Sequence, residues 1–343
     1  MQIREYNLRL PRYRKRWQAF MEHNGIHEFG QAELAPIEKT YVWEEDGELA
    51  ATGSIAGKVL KYVAVCEKFK DGGALFNQVV SHLVNEEASR GRFHLLVFTK
   101  PKYVKSFGYV GFKPLAETSQ GAFLESGTPG IDDFLAKLPH FDQGKTAAIV
   151  MNANPFTKGH RALVEAASAE NDQVYLFVVQ ADRSVFTFAE RFALVKQGVS
   201  DLENVVVVPG GDYMVSSATF PAYFLKSDQE IGAYQAELDA TLFRDSIAKP
   251  LHISARYLGE EPTSKTTAAY NAALSAVLAP QVAVKIIPRH TEAGQIVSAT
   301  TVRQAILAGD QDQLARLLPP TTLTFVKENF ADLQARIQKK GSK

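Results

Sequence analysis

A chain of 343 residues with 45% hydrophobic and 22% charged content reads as an ordinary folded protein of two or three domains. Its 38 Lys and Arg balance 38 Asp and Glu, which excludes bulk attraction to nucleic acid or an anionic membrane and makes any anion site local. The single cysteine, Cys66, excludes an internal disulfide and a cysteine-based zinc cluster, and it fits a reducing cytoplasm. No run approaches the ~18 apolar residues of a membrane span, and the mixed-charge start, Met1-Gln2-Ile3-Arg4-Glu5-Tyr6, is unlike a signal peptide. A cytoplasmic location is the expectation.

In chain order, Pro11 to Phe20 reads as a basic helix with Trp17 and Phe20 as its apolar residues. Two strands, Thr40–Glu45 and Glu48–Ile55, flank the hairpin signal Asp46-Gly47. A third strand, Val59–Val65, leads through the loop Glu67–Ala74 into a helix carrying Leu75, Val79, Val80 and Leu83. The strand Phe93–Phe98 comes next, then aromatic residues ending at Gly111-Phe112. Ser119 to Gly130 is rich in Ser, Gly, Thr and Pro, and this composition shift sets a domain boundary between about 125 and 145. The expected domains are therefore 1–135 and 143–343.

From residue 143 strand and helix patterns alternate, the mark of a parallel α/β sheet with right-handed crossovers. The apolar run Ala147–Met151 suits a buried strand. Asn154-Pro155 breaks it, Thr157 can cap a helix starting at residue 158, Gly159 permits close approach, and His160 falls in the first helical turn. A helix start at the carboxyl end of a parallel strand offers free N–H groups and a positive dipole end, which suits phosphate. The strand Gln173–Val179 precedes a capping box, Thr187 with Glu190, and Arg191 just after it. Arg191 reads equally as a phosphate contact or as a helix-surface ion pair. The strand Leu251–Leu258 ends in Gly259, Glu260 and Glu261, and Thr263-Ser264 cap the helix containing Tyr270. The last strand, Val282–Arg289, is followed by Ser298, Thr300 and Arg303, which open another helix. Ser298 and Thr300 would serve either as plain caps or as phosphate donors.

Two motifs in this second domain resemble signatures of the nucleotidylyltransferase superfamily. Thr157-x-Gly159-His160 after Asn154-Pro155 is similar to its (H/T)-x-G-H motif, with Met151 standing where Gly is usual. Ile296-Val297-Ser298-Ala299-Thr300-Thr301-Val302-Arg303 is similar to its I-S-x-T/S-x-x-R motif. The resemblance implies that His160 contacts the α-phosphate of ATP, oriented by Thr157. Lys158, Arg303, Asn154, Gly159, Arg191, Ser298 and Thr300 would hold the rest of the nucleotide, with Mg²⁺ bridging the phosphate oxygens. The first domain resembles GNAT-type acetyltransferases. Gly72 and Ala74 match the last two positions of their pyrophosphate loop, while Phe69 replaces the expected Arg or Gln. Lys70, Gly72, Gly73 and Ala74 are the residues implied for a coenzyme A-like arm.

Longer stretches, Met151–Arg161, Ser216–Phe224 and Arg256–Pro262, resemble the ligase family that acetylates citrate lyase. The implied fold class is α/β: a GNAT-like α+β domain followed by a Rossmann-like parallel-sheet nucleotidylyltransferase domain with C-terminal helices. The implied reaction joins acetate and ATP into acetyl-AMP. The acetyl group then passes to the thiol of the coenzyme A-like group on the lyase's acyl carrier protein. Two alternatives stand beside it: an adenylyltransferase acting on a phosphorylated cofactor precursor, and a GNAT-type N-acetyltransferase.

Overall fold

A computed structural model describes residues 1–180, 184–214, 228–260, 265–292 and 294–341. The chain forms two compact units. The first takes the described residues of 1–137 and 228–246, and the second those of 138–214 and 247–341. The segment 228–246, counted from sequence as part of the second domain, therefore belongs to the first unit.

The first unit is a seven-stranded sheet in the order β1-β2-β3-β4-β5-β7-β6. Its strands are β1 (Gln2–Glu5), β2 (Lys39–Glu45), β3 (Glu48–Ala56), β4 (Val59–Val65), β5 (Leu95–Thr99), β6 (Lys113–Glu117) and β7 (Ala122–Ser126). All pairings are antiparallel except β4 with β5. Helices cover both faces. The helix Ala74–Ser89 buries Leu75, Val79, Val80 and Leu83 in a core with Trp43, Ile55 and Val97. The helix Pro11–His23 buries Trp17, Phe20 and Met21 in a second core with Tyr62. Each such side chain contributes ~1.5–3 kcal/mol by leaving water. The Trp17 indole N–H also donates to Thr52 Oγ1 at 3.1 Å, so the ring is fixed as well as buried. The helix Asp228–Leu242 packs on β6 and β7, and Ser246 Oγ donates to the Leu115 carbonyl at 2.7 Å. Which sheet this helix covers is not legible from sequence, because periodicity names a face and not a partner.

The second unit holds a five-stranded parallel sheet: β8 (Thr146–Met151), β9 (Gln173–Val178), β10 (Val205–Pro209), β11 (Ile253–Gly259) and β12 (Ala283–Ile287). Their spatial order is β10-β9-β8-β11-β12. The order reverses between β8 and β11. In a doubly wound sheet the crevice outside the carboxyl ends at such a reversal is where ligands bind. Ala147, Ile149, Val174, Leu176 and Val178 are buried in the sheet's core, as the continuous apolar runs predict. Helices Ala299–Ala308, Gln311–Leu317, Pro320–Glu328 and Phe330–Gly341 complete the unit. A short hairpin, β13 (Thr291–Glu292) with β14 (Gln295–Ile296), links β12 to the first of them.

Candidate active site

The loop after β8 is gripped by two arginines. Ala153 holds a left-handed backbone, φ +48°, which a side-chain-bearing residue keeps only where its surroundings impose it. The carbonyls on either side supply that constraint. Arg191 Nη1 donates to the Asn152 carbonyl at 2.8 Å, and Arg303 Nη1 donates to the Asn154 carbonyl at 2.7 Å. Asn154 Oδ1 accepts from the Phe186 N–H at 3.1 Å, so this side chain is spent on the loop itself.

The helix Lys158–Glu170 then begins as its sequence dictates. Thr157 is the N-cap in an extended conformation, and its hydroxyl oxygen accepts from the His160 N–H at 3.3 Å. The Thr157 N–H in turn donates to His160 Nδ1 at 3.1 Å, with Thr157 Oγ1 2.9 Å from the same nitrogen. A backbone N–H is an obligate donor, so Nδ1 carries no proton and Nε2–H is the ring's donor. Phe156, fully buried, stacks on the ring with centroids 5.9 Å apart. Burial, and secondarily the positive charge of Arg289, lower the His160 pKa to about 4. At neutral pH this residue is thus an uncharged, oriented Nε2–H donor in the first turn of a helix. The N–H groups of Lys158 and Gly159 beside it have no intrahelical partner.

The second motif meets the first. Ser298 is the N-cap of Ala299–Ala308; its Oγ accepts from the Thr301 N–H at 3.0 Å and lies 2.7 Å from Thr301 Oγ1. A Cβ added to Gly159 would stand 3.1 Å from the Val297 carbonyl, which explains why the residue before His160 lacks a side chain. Arg303 spans the two helix starts, with one nitrogen on the Asn154 carbonyl and Nη2 on Thr300 Oγ1 at 3.0 Å. Lys158 Nζ lies 3.8 Å from Glu292 Oε1, and His290 Nε2 lies 3.2 Å from the same oxygen. The hydrogen bond from His290, then the Lys158 charge, hold the Glu292 carboxyl below its ordinary pKa. Two amide-bearing helix starts, a neutral imidazole and the cations Lys158 and Arg303 therefore gather at the β8–β11 reversal. Such a set can bind a polyanion and stabilise charge developing on it.

Of the residues singled out from sequence, Thr157, Lys158, Gly159, His160, Thr300 and Arg303 are brought together. Ser298 reaches the same place as a cap, its hydroxyl turned to its own helix. Arg191 is a correction. It was read as a triphosphate contact or a helix-surface ion pair, but its side chain is 0% exposed. Its guanidinium donates to the carbonyls of Asn152, Val179 (2.7 Å) and Phe186 (3.2 Å), tying the ends of β8 and β9 together. The capping box that precedes it forms as expected, with Thr187 and Glu190 bonded reciprocally. Arg289, His290 and Glu292 were missed. Arg289, quoted only as the end of the last strand, and His290 lie between β12 and the hairpin, and Glu292 lies in β13; none of these short segments has a periodic pattern. Ser216–Phe224 and Glu261–Ser264 lie outside the described residues.

The first unit carries a separate feature. β4 and β5 are paired only at Val59–Leu96 and Leu60–Val97, after which the strands part. The cleft between them is lined by Val63, Val65, Phe98, Thr99 and Lys70, among others. At the start of the helix Ala74–Ser89, Gly72 and Gly73 take successive left-handed conformations, φ +70° and +68°. Phe69, in the position where Arg or Gln was expected, packs against the apolar core. Lys70 Nζ is bonded to Glu67.

A sequence profile of the citrate lyase ligase C-terminal domain matches residues 146–326. The chain is 34% identical over 320 residues to the citrate (pro-3S)-lyase ligase of Haemophilus influenzae, covering 91% of this chain and 94% of that one. It is 36% identical over 302 residues to the Klebsiella pneumoniae protein of the same name, covering 86% and 88%. With the Escherichia coli protein of that name the identity is 32% over 311 residues, covering 88% of each.

Proposed function

The chain belongs to the citrate lyase ligase family, and from that premise we propose the reaction it performs. It uses ATP and acetate to acetylate the thiol of the coenzyme A-like prosthetic group on the acyl carrier protein of citrate lyase. An acetate oxygen attacks the α-phosphorus of ATP, pyrophosphate departs, and acetyl-AMP forms. The thiol then attacks the acetyl carbon, and AMP leaves with the acetate oxygen it received. The first step needs no covalent protein nucleophile; positioning and charge stabilisation suffice.

The observation that carries this reading is the joining of two helix starts by Arg303 beside a neutral Nε2–H donor. In it, His160 donates from Nε2 to the α-phosphate, Thr157 fixes the ring, and the Lys158 and Gly159 amides lie alongside. Lys158, Thr300 and Arg303 hold the outgoing pyrophosphate, with Ser298 shaping the second helix start. Arg191 and Asn154 position the loop. Mg²⁺ enters with ATP as part of that substrate. Such an ion commonly takes most of its ligands from phosphate and water. The cleft between β4 and β5, with Lys70, Gly72, Gly73 and Ala74 at its helix start, receives the prosthetic arm. None of the described helices is long and apolar enough to cross a membrane, and the enzyme works in the cytoplasm beside its lyase.

Incubation with deacetylated citrate lyase, MgATP and acetate tests the proposal. The expected result is one AMP per acetyl group, a carrier acetyl labile to hydroxylamine, and recovered lyase activity. A stable dinucleotide from a phosphorylated precursor, with no acetyl hydroxamate trapped, would instead make the chain a plain adenylyltransferase. Amine acetylation from acetyl-coenzyme A without ATP would make it an N-acetyltransferase.

A further inference from the structure

We propose that Arg289 is a further ligand of the ATP phosphates, supplied from the end of β12, a strand that neither sequence motif occupies. The inference rests on reading the second unit's crevice as the ATP site, and it adds a residue to it.

The first support is placement. Glu260, just past β11, donates its N–H to the Ile287 carbonyl at 2.8 Å and accepts on its own carbonyl from Arg289 Nε at 2.7 Å. These two bonds pin the arginine at the carboxyl ends of β11 and β12, and β11 is the strand that flanks the sheet's reversal point. Anchoring through Nε fixes the guanidinium plane, as bidentate phosphate recognition requires. The second support is proximity. The next residue, His290, accepts the Val297 N–H on its carbonyl at 3.0 Å. The Val297 carbonyl is the group that packs on Gly159. Arg289 thus sits one residue from the segment that touches the first helix start.

The third support is charge. Arg289 is close enough to His160 for its positive charge to disfavour the protonated imidazole. Lys158 and Arg303 stand at the same crevice, and both helix starts present positive dipole ends. Glu292 meets Lys158 and His290 only in part, at 3.8 and 3.2 Å. A triphosphate, with its charge spread over several oxygens, matches the set.

The test is equilibrium binding of MgATP, inorganic pyrophosphate and adenosine to the full-length protein and to Arg289→Gln and Arg289→Lys. Glutamine keeps a donor for the Glu260 carbonyl and removes the charge. Arg289→Gln is expected to weaken ATP and pyrophosphate at least tenfold, leave adenosine within twofold, and leave the melting temperature unchanged. Arg289→Lys is expected to recover part of the loss. Binding of ATP and pyrophosphate within twofold of wild type in Arg289→Gln would overturn the inference, as would an equal loss for adenosine. A wild-type protein that binds neither ATP nor pyrophosphate would overturn the ATP-site reading itself.

Discussion

Replacing His160 by alanine is expected to lower acetate-dependent ATP–pyrophosphate exchange by about 10²–10³-fold, because one preorganised donor to a developing oxyanion is worth ~3–4 kcal/mol of barrier. The fold is expected to survive. The imidazole stands at a helix start, and water entering the space it leaves can accept from the Thr157 N–H. Circular dichroism and a melting curve check that. Exchange within a few-fold of wild type would remove His160 from the chemistry. The lowered pKa adds a second readout. With a folded pKa of about 4 against an ordinary value near 6.5, the unfolded chain takes up a proton in that interval that the folded one refuses. His160 therefore costs the wild-type protein stability progressively as pH falls from about 6.5 to about 4, and it has no effect on stability above that window. The alanine variant is expected to lose this component of the acid-side decline. Chemical denaturation at several pH values measures it.

The largest stability effect is expected at Arg191. Arg191→Met keeps the bulk and deletes the donors, leaving the buried carbonyls of Val179 and Phe186 without them and the carbonyl of the exposed Asn152 to water. Each unsatisfied buried acceptor costs roughly 1–3 kcal/mol, and partial relaxation brings the expected sum to about 3–5 kcal/mol. For a unit of this size that lowers the melting temperature by roughly 6–20 °C. Below the transition, the affinity for ATP is expected to change far less than in Arg303→Ala. A large loss of ATP affinity with no shift in melting temperature would restore Arg191 to the phosphates.

The contrast between these two residues shows where sequence reading reaches its limit. His160, Thr157 and Gly159 were legible because their geometry is local. A cap, a missing side chain and a first-turn imidazole are set by spacing within four residues. Ser298, Thr300 and Arg303 were legible for the same reason, as a second helix start. The parallel sheet could be read from continuous apolar runs alternating with helical periodicity. Arg191 sits equally near a helix start, but the direction of its long side chain depends on where the carbonyls of β8 and β9 end, and those come from distant parts of the chain. Arg289 was hidden because its position is fixed by a main-chain clamp to Glu260, with no pattern of its own. Nothing in the sequence of the helix Asp228–Leu242 names the sheet it packs on.

The central claim is that the two joined helix starts bind ATP so that acetate displaces pyrophosphate at the α-phosphorus. Acetate labelled with ¹⁸O in both carboxylate oxygens tests it directly, with deacetylated lyase as acceptor and the product AMP analysed by mass spectrometry. The account predicts one ¹⁸O in each AMP, carried over when the thiol takes the acetyl group. Unlabelled AMP, or label appearing in inorganic phosphate instead, would contradict it.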